Sequence, residues 1–285
     1  MSPWIWGVVL LVVCGSLAAL TYWHLIIAEG AYLGTRLVAY LYDRFAHRYD
    51  DIKGFDWEDE HDFIARPLRL SFDLAGVEKP LILDVGTGTG RVPRVLLDRG
   101  AFSGHIVALD RSLGMLQEAV RRLGSAASVS WLWQDASRLP FSDATFDAVC
   151  CLEVLEFTPD PRRTLEEMIR VLRPGGFLLL SNRIGWQAHL LPGRTFRRSE
   201  FHQVLLDLGI AVCQVRPWQV DYDWALARKA GVGPGKGQGH RSLAEILHCP
   251  GCGALAWETR AAAWRCETCG RKYPYRDGIL MLVES

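Results

Sequence analysis

The segment Leu81 to Gly90, LILDVGTGTG, constrains the fold of this chain most, because an apolar strand runs straight into a turn of glycines and threonines. Leu81, Ile82, Leu83 and Val85 are hydrophobic on both faces of a strand, as at the centre of a parallel sheet. Glycines at 86, 88 and 90 remove the side chains that would hold a ligand off the backbone. Arg91 to Asp98 then reads as a helix whose N-terminal amides face the same crevice. Dinucleotide enzymes and nucleotide-sugar enzymes use related turns, and a purely structural strand-to-helix turn has the same pattern.

Beyond about residue 78, strand and helix patterns alternate, which argues for a parallel sheet covered on both faces. The second strand, Ile106 to Leu109, ends in Asp110. An acidic residue about 20 positions after a glycine turn can accept both hydroxyls of a ribose. The helix from Ser112 to Leu123 follows, with Leu113, Leu116, Ala119, Val120 and Leu123 at helical spacing. A third strand, Val129 to Trp133, ends at Gln134-Asp135-Ala136, where Asp135 can accept a hydrogen bond from an adenine amino group or cap the next turn. The fourth, Ala148 to Leu152, delivers Glu153 to the carboxyl edge of the sheet, where ligands bind.

Five segments in this order resemble the class I S-adenosylmethionine-dependent methyltransferases: Leu83 to Gly90, Ala108 to Leu116, Gln134 to Phe141, Phe146 to Val149, and Val171 to Gly176 with its Arg173-Pro174-Gly175-Gly176 turn into a fifth strand, Phe177 to Ser181. The resemblance covers roughly residues 78–229. It implies a doubly wound, Rossmann-like α/β sheet of seven strands. It also implies that the first motif, with Asp84, Gly86, Thr87, Gly88 and Gly90, carries the methionine end of the cofactor. Asp110, with Arg111 and Met115 in the same motif, would hold the ribose; Asp135 and Ala136 would meet the adenine, and Glu153 would border the cofactor. Tyr42 to Asp50 resembles the segment before the core in quinone-biosynthesis C-methyltransferases, where a tyrosine matched by Tyr49 lies over the cofactor.

S-adenosylmethionine is already an activated methyl donor, so alignment of acceptor, methyl and sulfur can suffice, with a general base only where the acceptor must lose a proton. Glu153, His189 and His202 are the candidate bases. Glu153 has the alternatives of binding cofactor or capping a helix, and the histidines those of surface or packing residues. Cys150 and Cys151 read as small core residues of a buried strand. Cys151 to Phe157 departs from the Asn/Asp-Pro-Pro-Tyr of amine methyltransferases that act on nucleobases, and 32 basic residues balance 32 acidic ones. Neither feature favours a nucleic-acid partner.

Residues 4–28 contain no Lys, Arg, Asp or Glu, whereas about 20 apolar residues suffice to cross a bilayer. Trp4 and Trp6 stand at one end and Tyr22 and Trp23 at the other, roughly 28 Å apart, in keeping with two interfacial aromatic belts. The run predicts a single transmembrane anchor; a signal peptide would want a charged leader, and a buried hydrophobic helix is the remaining alternative. Arg36, Arg44 and Arg48 follow the run, so the positive-inside rule predicts an N-terminus outside and a cytoplasmic catalytic domain at the cell membrane. Residues 30–77 read as a juxtamembrane helical segment and cap, in which Gly30 to Phe45 is a helix lying on the membrane or on the domain.

Residues 230–241 are rich in glycine and read as a flexible linker. In residues 242–285, Cys249-Pro-Gly-Cys252-Gly and Cys266-Glu-Thr-Cys269-Gly are two knuckles that can complete a closed Cys₄ site for structural Zn²⁺, with disulfides as the alternative. His248 could stand in for one ligand. Lys272 to Leu282 resembles the end of the zinc-ribbon proteins that activate RNA and translation-factor methyltransferases, which implies a stabilising or docking module open to a protein partner. The expectation is a membrane-tethered methyltransferase with a small or lipid-soluble acceptor, such as a quinone. An RNA methyltransferase and a non-catalytic cofactor-binding scaffold are the alternatives.

Overall fold

In the computed structural model, which describes residues 3–100, 102–124, 128–233 and 235–283, the chain begins with a helix that no other element covers. This is α1 (Pro3–Tyr22), continued without a break through Trp23–Ile27. From Trp4 to Ile27 it is long and apolar enough to cross a membrane, and none of its most apolar stretch is buried in the body. An elbow follows, in which Glu29, Gly30 and Gly34 have φ of 46°, 78° and 103°. These left-handed conformations stop the helical path, so the helix expected from Gly30 starts only at Thr35. It is α2 (Thr35–Phe45), and α3 (Tyr49–Lys53), α4 (Trp57–Glu60) and α5 (Arg66–Ala75) complete the cap.

The body alternates β1 (Leu81–Val85), α6 (Arg91–Leu97), β2 (His105–Asp110), α7 (Leu113–Leu123), β3 (Val129–Trp133), β4 (Phe146–Cys151), α8 (Pro161–Val171) and β5 (Leu172–Arg183). After α9 (Gly185–His189) and α10 (Arg198–Asp207), β6 (Ile210–Trp218) and β7 (Tyr222–Lys229) form an antiparallel hairpin. Side-chain caps start α7 and α8: Ser112 Oγ accepts from Met115 N, and Asp160 accepts from Arg163 N ahead of Pro161. The strand order is β6-β7-β5-β4-β1-β2-β3, with β1 flanked by β2 on one side and β4 on the other. Chain direction around the sheet therefore reverses between β1 and β4, and the crevice at their carboxyl ends is where an open α/β sheet binds ligands. β1 and β4 are buried along their whole length, and two apolar clusters fill the opposite faces of the sheet.

The sheet does not end at the expected seven strands. β8 (Trp257–Thr259), β9 (Ala263–Cys266), β10 (Lys272–Arg276) and β11 (Ile279–Met281) extend it to eleven among the described residues. β11 lies parallel to β3, with Leu280 opposite Leu132, and the buried Leu280 joins the main apolar cluster. Pairing there satisfies backbone groups that an edge strand would leave open.

The glycine-rich segment between body and C-terminal module is not a free linker. A Cβ on Gly237 would lie 2.0 Å from Lys79 O, and one on Gly233 2.5 Å from Pro174 O, so glycine serves close backbone approach. Gln238 N donates to Asp147 Oδ2 at 2.8 Å, as Leu81 N does at 2.7 Å. The same buried carboxylate pairs with Arg173 Nη1 at 2.8 Å. Asp147 thus ties β1, the start of β5 and the connecting segment together, and truncating one member of such a buried pair costs about 3–5 kcal/mol. Ser2 before the span, Pro234 of the expected linker, and Glu284 and Ser285 of the expected ribbon lie outside the described residues.

Candidate active site

The glycine turn folds back over the end of β2, because Gly86 N and Thr87 N both donate to Leu109 O at 2.9 Å. Gly88, with φ of 56°, faces space that no protein atom fills: a Cβ at this position would meet nothing within 4 Å, which leaves the backbone open to a ligand. Gly90 serves another purpose. A Cβ there would sit 2.8 Å from Leu123 Cδ1, so this glycine lets α7 pack on the sheet and does not face the cleft as expected.

Asp110 stands opposite the turn. Its Oδ2 accepts from Gly88 N and its Oδ1 from Ser112 N, both at 2.8 Å. Burial pushes its carboxyl up to about 6 despite these amides, and burial pushes Asp84, beneath the turn, up to about 7. Asp135 Oδ1 accepts from Ser137 N at 2.8 Å, so it caps its turn, while its other oxygen lies 3.9 Å from Arg111 Nε. Asp110, Arg111, Met115, Asp135 and Ala136 line one cleft with Gly86, Gly88, Tyr49 and Glu153. Asp84 and Thr87 border a smaller recess under the turn, beside Arg91.

The motifs of the sequence do not reveal the far wall of this cleft, which is made by Val38, Ala39 and Tyr42 of α2 with Phe157. The spacing of the three α2 residues, with Thr35, is that of one helical face, so the signal is present although its target is not.

At the inner end of the cleft lies an ionic cluster that is buried apart from Lys53. Arg91 donates through Nε and Nη2 to both oxygens of Glu60 at 2.7 and 2.6 Å, and through Nη1 to Glu153 Oε1 at 2.6 Å. Lys53 Nζ reaches the other Glu153 oxygen at 2.5 Å. The guanidinium lies between the rings of Phe55 and Trp218, 4.4 and 4.7 Å from their centres. Glu153 itself has φ of 58°, and its amide donates to Ser181 Oγ. Burial opposes its ionisation, but Lys53 and Arg91 outweigh burial and hold its carboxyl below the usual range. For Glu60, burial wins over Arg91 and the carboxyl is raised. With both oxygens engaged, Glu153 is an anchored anion at the boundary of the cleft, and acting as a base would require it to release Lys53.

Beyond Glu153 opens a second cavity of about 590 Å³, which shares Tyr42, Glu153 and Phe157 with the first. Its walls carry Trp218 and Tyr222 from the β6–β7 hairpin, Arg183 from the end of β5, and Glu29 from the elbow. Tyr42 donates to Glu29 Oε2 at 2.8 Å and Tyr222 to Glu156 Oε1 at 2.7 Å. Burial, aided by Glu29, raises the Tyr42 phenol well above its ordinary value. His189 and His202 are not part of either cavity. His189 is exposed on α9 with Nδ1 on Gly185 O, and His202 lies on α10, so neither stands among the groups that could touch an acceptor here.

In the C-terminal module the Sγ atoms of Cys249, Cys252, Cys266 and Cys269 all lie within 4.8 Å of one another, and two of the separations are 3.7 and 3.6 Å. A tetrahedral site with metal–sulfur bonds of about 2.3 Å needs sulfurs about 3.8 Å apart, so the donor set fits one metal ion. All four are free thiols. His248 is a neighbour: Nε2 meets Ser142 Oγ at 2.6 Å and Nδ1 meets Gly253 O at 2.7 Å, which pins the module to the body. Cys150 and Cys151 are buried in β4, and burial drives both thiols well up.

Residues 83–180 match the family model described as a methyltransferase domain. The demethylmenaquinone methyltransferase of Clavibacter sepedonicus is 41% identical over 107 residues, 38% of this chain and 42% of that protein. The ubiquinone biosynthesis O-methyltransferase of Alkalilimnicola ehrlichii is 35% identical over 145 residues, 49% of this chain and 56% of that protein. The chain thus spans about half the length of these curated relatives. Among solved structures, a complex between the Haloferax volcanii Trm112 methyltransferase activator and the putative methyltransferase contains a chain that is 25% identical to this one. The match has a TM-score of 0.51 and covers 67% of this chain and 98% of that one. The fold, the reversal point with its glycine turn and these likenesses agree: residues 83–180 are the core of an S-adenosylmethionine-dependent methyltransferase domain.

Proposed function

We propose that this chain is a membrane-anchored methyltransferase that transfers the methyl group from the sulfonium of S-adenosylmethionine to a lipid-soluble nucleophilic acceptor with a compact reacting head, such as a quinone ring in its reduced, phenolic form, whose displaced proton passes to solvent. The observation that carries the reading is the pair of adjoining cavities. One has the glycine backbone and carboxylates suited to a nucleoside; the other sets Phe55, Phe63, Trp218 and Tyr222 among charged side chains such as Asp56, Glu60 and Arg183, and begins at Glu29, two residues past the apolar helix. The quinone-biosynthesis names of the relatives support the choice of acceptor.

In this reading Asp110 accepts from the ribose hydroxyls, Ala136 and Asp135 border the adenine, and the open backbone at Gly88 receives the methionine end. The bound cofactor supplies an already activated methyl group. Tyr49 and, from α2, Tyr42 exclude water from the line of transfer, and Glu153 fixes the boundary between donor and acceptor. Phe157 and Trp218 hold the acceptor ring, whose position relative to the donor is the main catalytic contribution. The C-terminal module is a zinc ribbon held by Cys249, Cys252, Cys266 and Cys269. It serves within one chain as a counterpart of the separate activator in the Haloferax complex.

Four outcomes are expected. Membranes incubated with the enzyme and methyl-labelled cofactor should yield label in the organic extract; label confined to RNA or protein would contradict the lipid reading. Calorimetry should show cofactor affinity falling as pH drops below about 6, since protonated Asp110 loses an acceptor, and this dependence should vanish in Asp110→Asn, whose affinity is low throughout. Affinity that is flat with pH in the native chain would refute the ribose assignment. Stability should move the opposite way. Asp84 and Asp110 hold protons more tightly folded than unfolded, so between about 4 and 7 stability rises as pH falls. Finally, purified protein should carry about one zinc per chain. Its removal should release β8–β11 into rapid hydrogen exchange while β1–β5 stay protected; unchanged protection would refute a structural metal.

A further inference from the structure

The apolar helix could act as a plain tether, raising the local concentration of a body that tumbles beside the bilayer. The elbow argues for more than that. Ala28 and Ala31 are buried against the body at 1% and 3% exposure. Trp23 Nε1 donates to Leu190 O at 3.1 Å and Tyr32 Oη to Pro192 O at 2.9 Å, and the two rings stack 5.1 Å apart. Arg194 donates to Ala31 O at 2.9 Å and lies over the Tyr32 ring. A chain segment held by backbone and ring contacts on both sides transmits direction, so the span and the body form one rigid unit at this joint.

Glu29 sits inside that joint and is also a wall of the acceptor cavity, fixed by Tyr42 and lying 3.7 Å from Arg183. The surface next to the joint has the composition of a membrane interface. Along α2 and the turn before it, Leu33, Arg36, Tyr40 and Arg44 recur at helical spacing, all facing outward, while the opposite face of α2 covers the cofactor cleft. Trp186 projects from α9 at 64% exposure, one turn from the Leu190 carbonyl that receives Trp23. Val220, 89% exposed, stands at the rim of the cavity in the β6–β7 turn. Aromatic rings with arginines suit the headgroup layer, where rings embed and guanidinium groups meet lipid phosphates.

We propose that the elbow from Ala28 to Gly34 docks the catalytic body on the bilayer surface in a fixed orientation, so that the acceptor cavity opens at the headgroup layer and receives a lipid-borne acceptor directly from the leaflet. The occupant of the α2 and Trp186 surface is the anionic lipid surface, continuous with the span that inserts in the membrane. This rests on the membrane-anchored reading given above, and adds to it the direction from which the acceptor arrives.

The test uses the full chain in vesicles of phosphatidylethanolamine and phosphatidylglycerol containing a phosphatidylethanolamine with a diazirine on its headgroup. After illumination, peptide mapping should place crosslinks in residues 33–45 and at the cavity rim, residues 217–221, as well as in the span. A variant carries a flexible Gly-Ser insertion between Tyr22 and Trp23, which leaves Trp4–Tyr22 as an anchor within the about 17–25 apolar residues that span a bilayer, keeps the Trp23 contact of the elbow, and uncouples the two. In it, rim crosslinks and transfer to bilayer lipid should each fall about tenfold or more, while cofactor affinity and transfer to detergent-solubilised lipid stay unchanged. Crosslinks confined to residues 4–27 in the native chain, or equal rim labelling with and without the insertion, would overturn the docking proposal. Rim crosslinks that respond to the insertion, with no lipid methylated by either protein, would uphold the docking and overturn the lipid-methylating function instead.

Discussion

Arg91 occupies the point where three parts of the chain, distant in sequence, meet. It is the first residue of α6, directly after the glycine turn; Glu60 comes from the cap and Glu153 from the carboxyl end of β4. Lys53, at the end of α3 in the cap, closes the cluster. Taking such charges out of water costs several kcal/mol per ion unless every partner is present, so the arrangement holds as a set. Phe55 and Trp218 complete it by covering both faces of the guanidinium, one ring from the cap and one from the hairpin.

Several features of the site follow from that cluster. The cap is held down over the crevice, which brings Tyr49 and the inner face of α2 across the cleft at the glycine turn. Glu153 is drawn into a left-handed conformation, a costly state that persists only where the surroundings over-determine it. Its carboxylate then partitions one continuous depression into two cavities. One is bounded by glycine backbone and Asp110, and the other by aromatic rings interleaved with charged side chains and by the elbow that ends the apolar helix.

The parts of this arrangement that are legible in the sequence are the local ones. β1 and β3 occur where their apolar runs end, Asp110 closes β2, and the four cysteines converge as their spacing requires, because each rests on a few adjacent residues. The apolar run predicts Phe177 to Ser181 for β5, and the strand runs further, from Leu172 opposite Phe146 to Arg183, with Arg173-Pro174-Gly175-Gly176 as an irregularity without β4 partners, Gly175 at φ 71°. Glycines 231 to 239 signal flexibility by composition, whereas their packing against Lys79, Pro80 and Pro174 depends on backbone far away in sequence. Arg91 has no local signal at all. A lone arginine opening a helix is ordinary, and only Glu60, 31 residues earlier, and Glu153, 62 later, make it central. The same holds for His189 and His202, whose chemistry suggests a base but whose helices carry them away from the crevice.

The most direct test is a crystal structure of the full chain with S-adenosylhomocysteine, the product of methyl transfer. The adenosine is predicted to lie between Asp110, Ala136 and the Gly86–Gly88 turn, with the sulfur directed past Glu153 into the cavity beyond it and the Lys53–Glu153–Arg91–Glu60 cluster intact. A nucleoside bound elsewhere, or a sulfur facing away from that cavity with the cluster broken, would contradict it.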